Sequence, residues 1–115
     1  MSDNIVNMNP IFRGNTREYL LTFVDDDGVA IPITGWTVYF TAKKNYADAV
    51  ASISVEVSVH FDAVGGQTKI PLSPANTDLV PGYYFYDIQV KKAADDFETI
   101  LSGQVQILAV NRKLT

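Results

Sequence analysis

The chain contains no cysteine, which excludes disulfides and thiolate metal sites and leaves the redox compartment open. It has one histidine, so nucleophilic catalysis would have a single imidazole base, His60, and no Gly-x-Ser-x-Gly elbow accompanies it. Phosphate-cradling loops of the Gly-x-x-x-x-Gly-Lys or Gly-x-Gly-x-x-Gly type are absent as well. No apolar run approaches the roughly 18 residues that cross a bilayer as a helix. The opening residues Met1-Ser2-Asp3-Asn4 carry no basic segment followed by an apolar one, so no export signal is expected. Basic residues are in the minority: nine Lys and Arg stand against 13 Asp and Glu, a net charge of −4. That balance disfavours nucleic acid, whose binders present a basic stripe. A soluble protein made in the cytoplasm is expected.

Carboxylates come together only in turns, at Asp25-Asp26-Asp27 and Asp95-Asp96, with nothing apolar beside them to raise a pKa. Asp25-Asp26-Asp27-Gly28 lacks the alternate-position ligands and distal Glu of an EF-hand, so it reads as a polar turn rather than a calcium loop. These absences assign no catalytic residue, no metal ligand and no cofactor. The expectation is a protein that is not an enzyme.

What the chain does have is alternation. The most informative stretch runs from Leu79 to Lys92, where a Pro81-Gly82 turn feeds a strand with Tyr84, Tyr86, Ile88 and Val90 on one face. Tyr83, Phe85, Asp87, Gln89 and Lys91 fall on the other. A Tyr just inside a strand after a corner is the arrangement by which immunoglobulin-like sandwiches tie turn backbone to sheet, which gives Tyr84 and Gly82 structural roles. Similar patterns place Tyr19, Leu21 and Phe23 inward on a strand over 16–24, and Trp36, Val38, Phe40 and Ala42 inward on one over 36–44. Ile53, Val55, Val57, Val59 and Phe61 point inward on a strand over 53–61, which leaves His60 outward and solvated. Trp36 at the head of its strand reads as a core plug.

Ile11-Phe12 after Pro10 suggests a short edge strand, 67–72 another short one, and 97–110 the last, bent or bulged at Gly103. Segment 45–51 is too short for a stable helix, and 73–79 reads as a turn or one 3₁₀ turn. Residues 1–9 are expected to form a flexible arm and 111–115 a polar tail around one domain, 10–110. The fold class expected is all-β: an immunoglobulin-like antiparallel β-sandwich of about seven strands.

If Tyr84 and Tyr86 face the core, Tyr83 and Phe85 face out, and strand order brings Tyr39, Leu108 and Val110 beside them. Such an apolar, Tyr-rich patch marks a candidate interface; the alternative is that the tail or arm covers it.

The order of motifs resembles the N-terminal immunoglobulin-like domain of phage upper-baseplate (BppU-like) proteins and small prophage tail-region proteins. The matching residues are Phe12-Arg13-Gly14-Asn15-Thr16, Asp26-Asp27-Gly28, and Ile31-Pro32-Ile33-Thr34-Gly35-Trp36-Thr37-Val38. Further on come Ile70-Pro71-Leu72, Asn76-Thr77-Asp78-Leu79, Pro81 to Ile88, and Thr99 with Ser102-Gly103. Asn15 stands where that family favours Asp, and the sequence lacks the coiled-coil stalk and receptor-binding region of the long members. The resemblance implies a small structural or adaptor component of a phage or prophage particle, tail or baseplate associated. It would assemble in the host cytoplasm and reside in the virion, with itself or other phage structural proteins as partners, as a homo-oligomer or a heteromeric assembly, and without nucleic acid or membrane. A different expectation from the residues alone is a carbohydrate- or ligand-binding sandwich module using Trp36 and the tyrosines as stacking platforms.

Overall fold

A computed structural model describes residues 8–94 and 96–109. Val110, most of the expected N-terminal arm and the expected tail lie outside the described residues. The described chain forms β1 (Ile11–Phe12), β2 (Arg17–Thr22), β3 (Thr37–Lys43), β4 (Ile53–Val57), β5 (Gln67–Leu72), α1 (Pro74–Thr77), β6 (Gly82–Ala93) and β7 (Asp96–Leu108). Five strands form one sheet in the order β1-β7-β6-β3-β4, and β2 pairs with β5 in a second. Within the large sheet β7, β6 and β3 lie side by side, as the immunoglobulin-like pattern requires. All pairings are antiparallel except β1 with β7, which is parallel, with Ile11 opposite Ile107.

The two sheets enclose one core, and the strand faces follow from side-chain parity. Val38, Phe40 and Ala42 of β3, Tyr84, Tyr86, Ile88 and Val90 of β6, and Val105 and Ile107 of β7 are buried. They meet Ile70 and Leu72 of β5, with Tyr19 and Leu21 of β2 packed against them. A ladder of rings spans the sandwich. Tyr19 stacks on Phe40 at 6.3 Å between centroids, and Phe40 on Tyr86 at 5.6 Å. Each fully buried large side chain contributes about 1.5–3 kcal/mol by leaving water. The Tyr19 hydroxyl is buried without a hydrogen-bond partner.

The crossing from the small sheet to the large one is made by α1 and the turn after it. Ser73 and Asn76 form a capping box: the Asn76 amide donates to the Ser73 hydroxyl at 3.2 Å, and the Ser73 amide donates to the Asn76 side-chain oxygen at 2.8 Å. The segment is thus one α-helical turn, with Pro74 at its start. Tyr84 then donates from its hydroxyl to the Val80 carbonyl at 2.6 Å, the corner bond expected from the sequence. Gly82 opens β6 at φ +148, and a Cβ there would run into the Lys44 ammonium. The β1–β2 turn is tied to the same corner. Arg13 Nε donates to Asp78 Oδ1 at 2.9 Å, Gly14 donates its amide to the Thr77 carbonyl at 3.2 Å, and the Thr77 hydroxyl donates to the Asn15 carbonyl at 2.6 Å.

Two strand expectations are corrected. The fourth strand ends at Val57, not Phe61; Val59 is 87% and Phe61 60% exposed. The irregularity in the last strand is not at Gly103, which is buried in regular register opposite Tyr86. It lies where Ile88 pairs with Leu101 but Gln89 pairs with Thr99, so Ile100 is the extra residue of a bulge. The slip lets Ile100 and Leu101 both line the cleft between the sheets. Upstream, just before β5, Gly66 is required where it stands. At φ +73, a Cβ would sit 2.7 Å from the carbonyl oxygens of both Phe23 and Ile31.

Replacing Tyr84 by Phe should lower unfolding free energy by about 1–2 kcal/mol, because the Val80 carbonyl loses a charge-neutral but short bond at a partly buried site; urea denaturation would measure it. Alkali supplies a second check. Burial pushes the Tyr86 phenol up to about 12, with the neighbouring Tyr19 phenol adding to the shift, and burial also raises Tyr19 and Tyr84. The folded state therefore holds phenolic protons that the unfolded chain releases first, from the ordinary value of 10.0 upward. Stability should be fully retained below that value and decline between it and about 12. The part of the tyrosinate absorbance that comes from Tyr19, Tyr84 and Tyr86 should appear together with loss of near-ultraviolet dichroism, and not before it.

Candidate functional site

The interface residues expected from the sequence lie on the outer face of the five-stranded sheet, but not as one patch. Tyr83 is 58% exposed, whereas Tyr39, Phe85 and Leu108 are half-buried. Tyr39 stands in register with Gln89 of β6 and Glu56 of β4. Between it and Phe85 runs a polar row in which Thr41 pairs with Asp87, and Asp87 with Ser102. Tyr39 is therefore separated from the aromatic end of the face.

That end is larger than the sequence suggested. Phe12 of β1, 49% exposed, pairs with Leu108 of β7, and Tyr83 of β6 lies opposite Gln106 on the same side. Two residues on, Phe85 is covered by Tyr46, whose ring stacks on it at 4.4 Å between centroids and 24° between planes. Tyr46 comes from the β3–β4 connection, outside any alternating segment, so strand periodicity could not have placed it. The result is an apolar band across three strands and one loop: Phe12, Leu108, Tyr83, Phe85 and Tyr46.

Beside the band lies Asp87, half-buried in the outer face. Burial pushes its carboxyl up from its ordinary value, and Lys43 pulls it partway back.

Trp36 is half-buried and packs edge-to-face on Phe23, with centroids 5.7 Å apart. It lies at the margin of the core rather than plugging it as expected, and it also lines a cleft of about 410 Å³ between the sheets, together with Leu21, Phe23, Val90, Ile100 and Leu101. Lys92 and Glu98 form an ion pair of 2.8 Å at this cleft, with the Lys92 ammonium 5.2 Å from the Trp36 ring centre. The hydrogen bond that the Lys92 ammonium donates to Glu98 raises the Lys92 pKa above its ordinary value, burial working against it.

His60 is not the solvated strand residue expected. Its Nε2 lies 2.7 Å from the Trp36 carbonyl and its Nδ1 2.9 Å from the Thr68 hydroxyl. The carbonyl can only accept, so Nε2 carries the proton and Nδ1 accepts from Thr68 in the neutral ring. Thr68 is fully buried, and this bond gives its hydroxyl a partner. The ring is thus a structural bridge between β5 and the residue preceding β3. Turning His60 inward is also what breaks the alternation and leaves Val59 and Phe61 in solvent.

The acidic turn is closed by its own backbone: Asp25 Oδ1 accepts from the amides of Asp27 and Val29, both at 2.9 Å. Among the described residues, no group of three or more His, Asp or Glu side chains could hold a metal ion. No helix among them is long and apolar enough to cross a membrane.

No family model matches the chain. Over 67 residues, 56% of its length, it is 36% identical to a glucose-1-phosphate thymidylyltransferase of an Actinoplanes species, covering 22% of that protein. In fold it is similar to part of a family 123 glycoside hydrolase from Clostridium perfringens, with a TM-score of 0.41 and 13% identity, over 93% of this chain and 23% of that one. The chain thus spans under a quarter of the length of either protein.

Substitutions around His60 separate the two readings of this segment. His60→Ala should cost about 1–3 kcal/mol, since it leaves the buried Thr68 hydroxyl and the Trp36 carbonyl without their partner. Phe61→Ser should stay within about 0.5 kcal/mol of the parent, as exposed positions do. Paired thermal and chemical denaturation curves would rank them, and a core Phe61 would reverse the order.

Proposed function

We propose that this chain is a non-enzymatic structural component of a phage or prophage particle, associated with its tail or baseplate, which works by packing against copies of itself or neighbouring particle proteins. The observation that carries the reading is the band formed by Phe12, Leu108, Tyr83, Phe85 and Tyr46. Large apolar side chains on a rigid sheet offer contact area at little cost in side-chain entropy, which is how interface anchors work. Tyr83 and Phe12 leave 58% and 49% of their surface in solvent. The resemblance of the motif order to upper-baseplate domains supplies the particle context. The polypeptide elements that carry that resemblance build the corner around Tyr84 and leave the sheet face available for contact.

Association should depend on this band and not on the corner. The double variant Phe12→Ser, Tyr83→Ser is expected to keep the parental melting temperature within a few degrees, because both residues are exposed. It should lose self-association in sedimentation, or lose co-purification of tail and baseplate proteins from lysate of an induced lysogen carrying the gene. A parent chain that is monomeric at high concentration and recovers no particle protein would remove the proposal.

A further inference from the structure

The outer face of the large sheet holds a concavity of about 200 Å³ lined by Thr41, Lys43, Tyr46, Phe85, Asp87 and Gln89. We infer that this concavity binds a neutral saccharide, one sugar ring at a time, on a wall formed by the stacked Tyr46 and Phe85. The inference goes beyond the assembly role: the concavity shares Tyr46 and Phe85 with the apolar band, but it adds Thr41, Asp87 and Gln89, which that role does not use, while Phe12 and Tyr83 serve the band alone.

Three features lead to this chemistry. The first is the aromatic wall. Tyr46 is 72% exposed, yet its ring stacks on Phe85 at 4.4 Å with 24° between the planes, so an apolar surface stands at the rim before any ligand arrives. The apolar C–H face of a pyranose matches such a surface.

The second is the Asp87 carboxylate. It is half-buried, and no hydrogen bond from a described residue reaches it. A carboxylate in that position offers several acceptor sites that a ligand bearing hydroxyl donors would fill, and a partly desolvated acceptor gains more from them than one in bulk water.

The third is charge balance. Register places Thr41 opposite Asp87, Lys43 opposite Phe85 and Tyr39 opposite Gln89, so a hydroxyl, an ammonium and an amide ring the same space. A cationic ligand would meet Lys43 and an anionic one would meet Asp87. A neutral molecule that both donates and accepts meets neither penalty and can use every group. Vicinal hydroxyls on a ring have that property.

The test is a titration of the full isotope-labelled chain, followed by amide chemical shifts, with the methyl glycosides of glucose, galactose, mannose and N-acetylglucosamine at millimolar concentrations. Tetramethylammonium and acetate serve as charged controls. Saturable shifts with at least one glycoside, centred on Thr41, Lys43, Tyr46, Phe85, Asp87 and Gln89, are expected. Tyr46→Ala and Asp87→Asn should each weaken that binding about tenfold, close to the 1.4 kcal/mol that corresponds to one decade. Both positions are at the surface, and an unchanged spectrum elsewhere would show the fold intact. The inference is overturned if no glycoside gives a saturable shift or if only the charged controls do. Shifts that map to the Trp36 cleft, or binding indifferent to both substitutions, would overturn it equally.

Discussion

The 2.6 Å bond from the Tyr84 hydroxyl to the Val80 carbonyl fixes where the chain enters the central strand of its large sheet, and much else depends on that. A strand side chain changes face with every residue, so a slip of one position at Gly82 would exchange the buried and exposed sets of the whole of β6. The bond works with its neighbours. Arg13 on Asp78 and Thr77 on the Asn15 carbonyl draw the β1–β2 turn onto the same corner, so the entry to the small sheet and the entry to the large sheet are clamped at one point. Each bond by itself contributes on the order of 1 kcal/mol. Together they specify register, which the apolar core alone would leave to compete with alternatives.

With β6 so fixed, both surfaces that bear on function follow. Tyr84, Tyr86, Ile88 and Val90 are committed to the core, and Tyr83, Phe85 and Asp87 are committed to the outer face. The polar row through Thr41, Asp87 and Ser102 divides that face into an aromatic end, continued by Phe12 and Leu108, and the isolated Tyr39. Tyr46, folding down on Phe85, joins the aromatic end to the polar concavity. One parity choice therefore supports an apolar surface suited to protein contacts and, next to it, a mixed surface suited to a small polar ligand.

The motifs behind the resemblance to baseplate domains prove to be neighbours in space. Phe12 to Thr16 is distant in the chain from the nearly contiguous Asn76 to Leu79 and Pro81 to Ile88, but meets them at the corner through the Arg13–Asp78, Gly14–Thr77 and Thr77–Asn15 bonds, next to the Tyr84–Val80 bond. Those residues hold the fold. Of the residues available for recognition, Tyr46 and Leu108 lie outside these motifs, whereas Phe12, Tyr83, Phe85 and Asp87 lie within them.

The sequence by itself determined the all-β class, the inward faces of β2, β3 and β6, and the Tyr84 corner, because each rests on a local signal: period-two alternation, or a turn residue next to a strand. Local signals could not see that His60 would find the Trp36 carbonyl and the buried Thr68 hydroxyl, which lie 24 and eight residues away. Two satisfied polar bonds outweighed the alternation, ended β4 at Val57 and put Val59 and Phe61 into solvent. Nor could they place the bulge at Ile100, since a slip belongs to a pair of strands and not to either one. The division of the outer face is of the same kind. Which residues share a face is written in one strand, but which of them touch is set by the register between strands and by loops such as the one carrying Tyr46, and only the tertiary structure decides those.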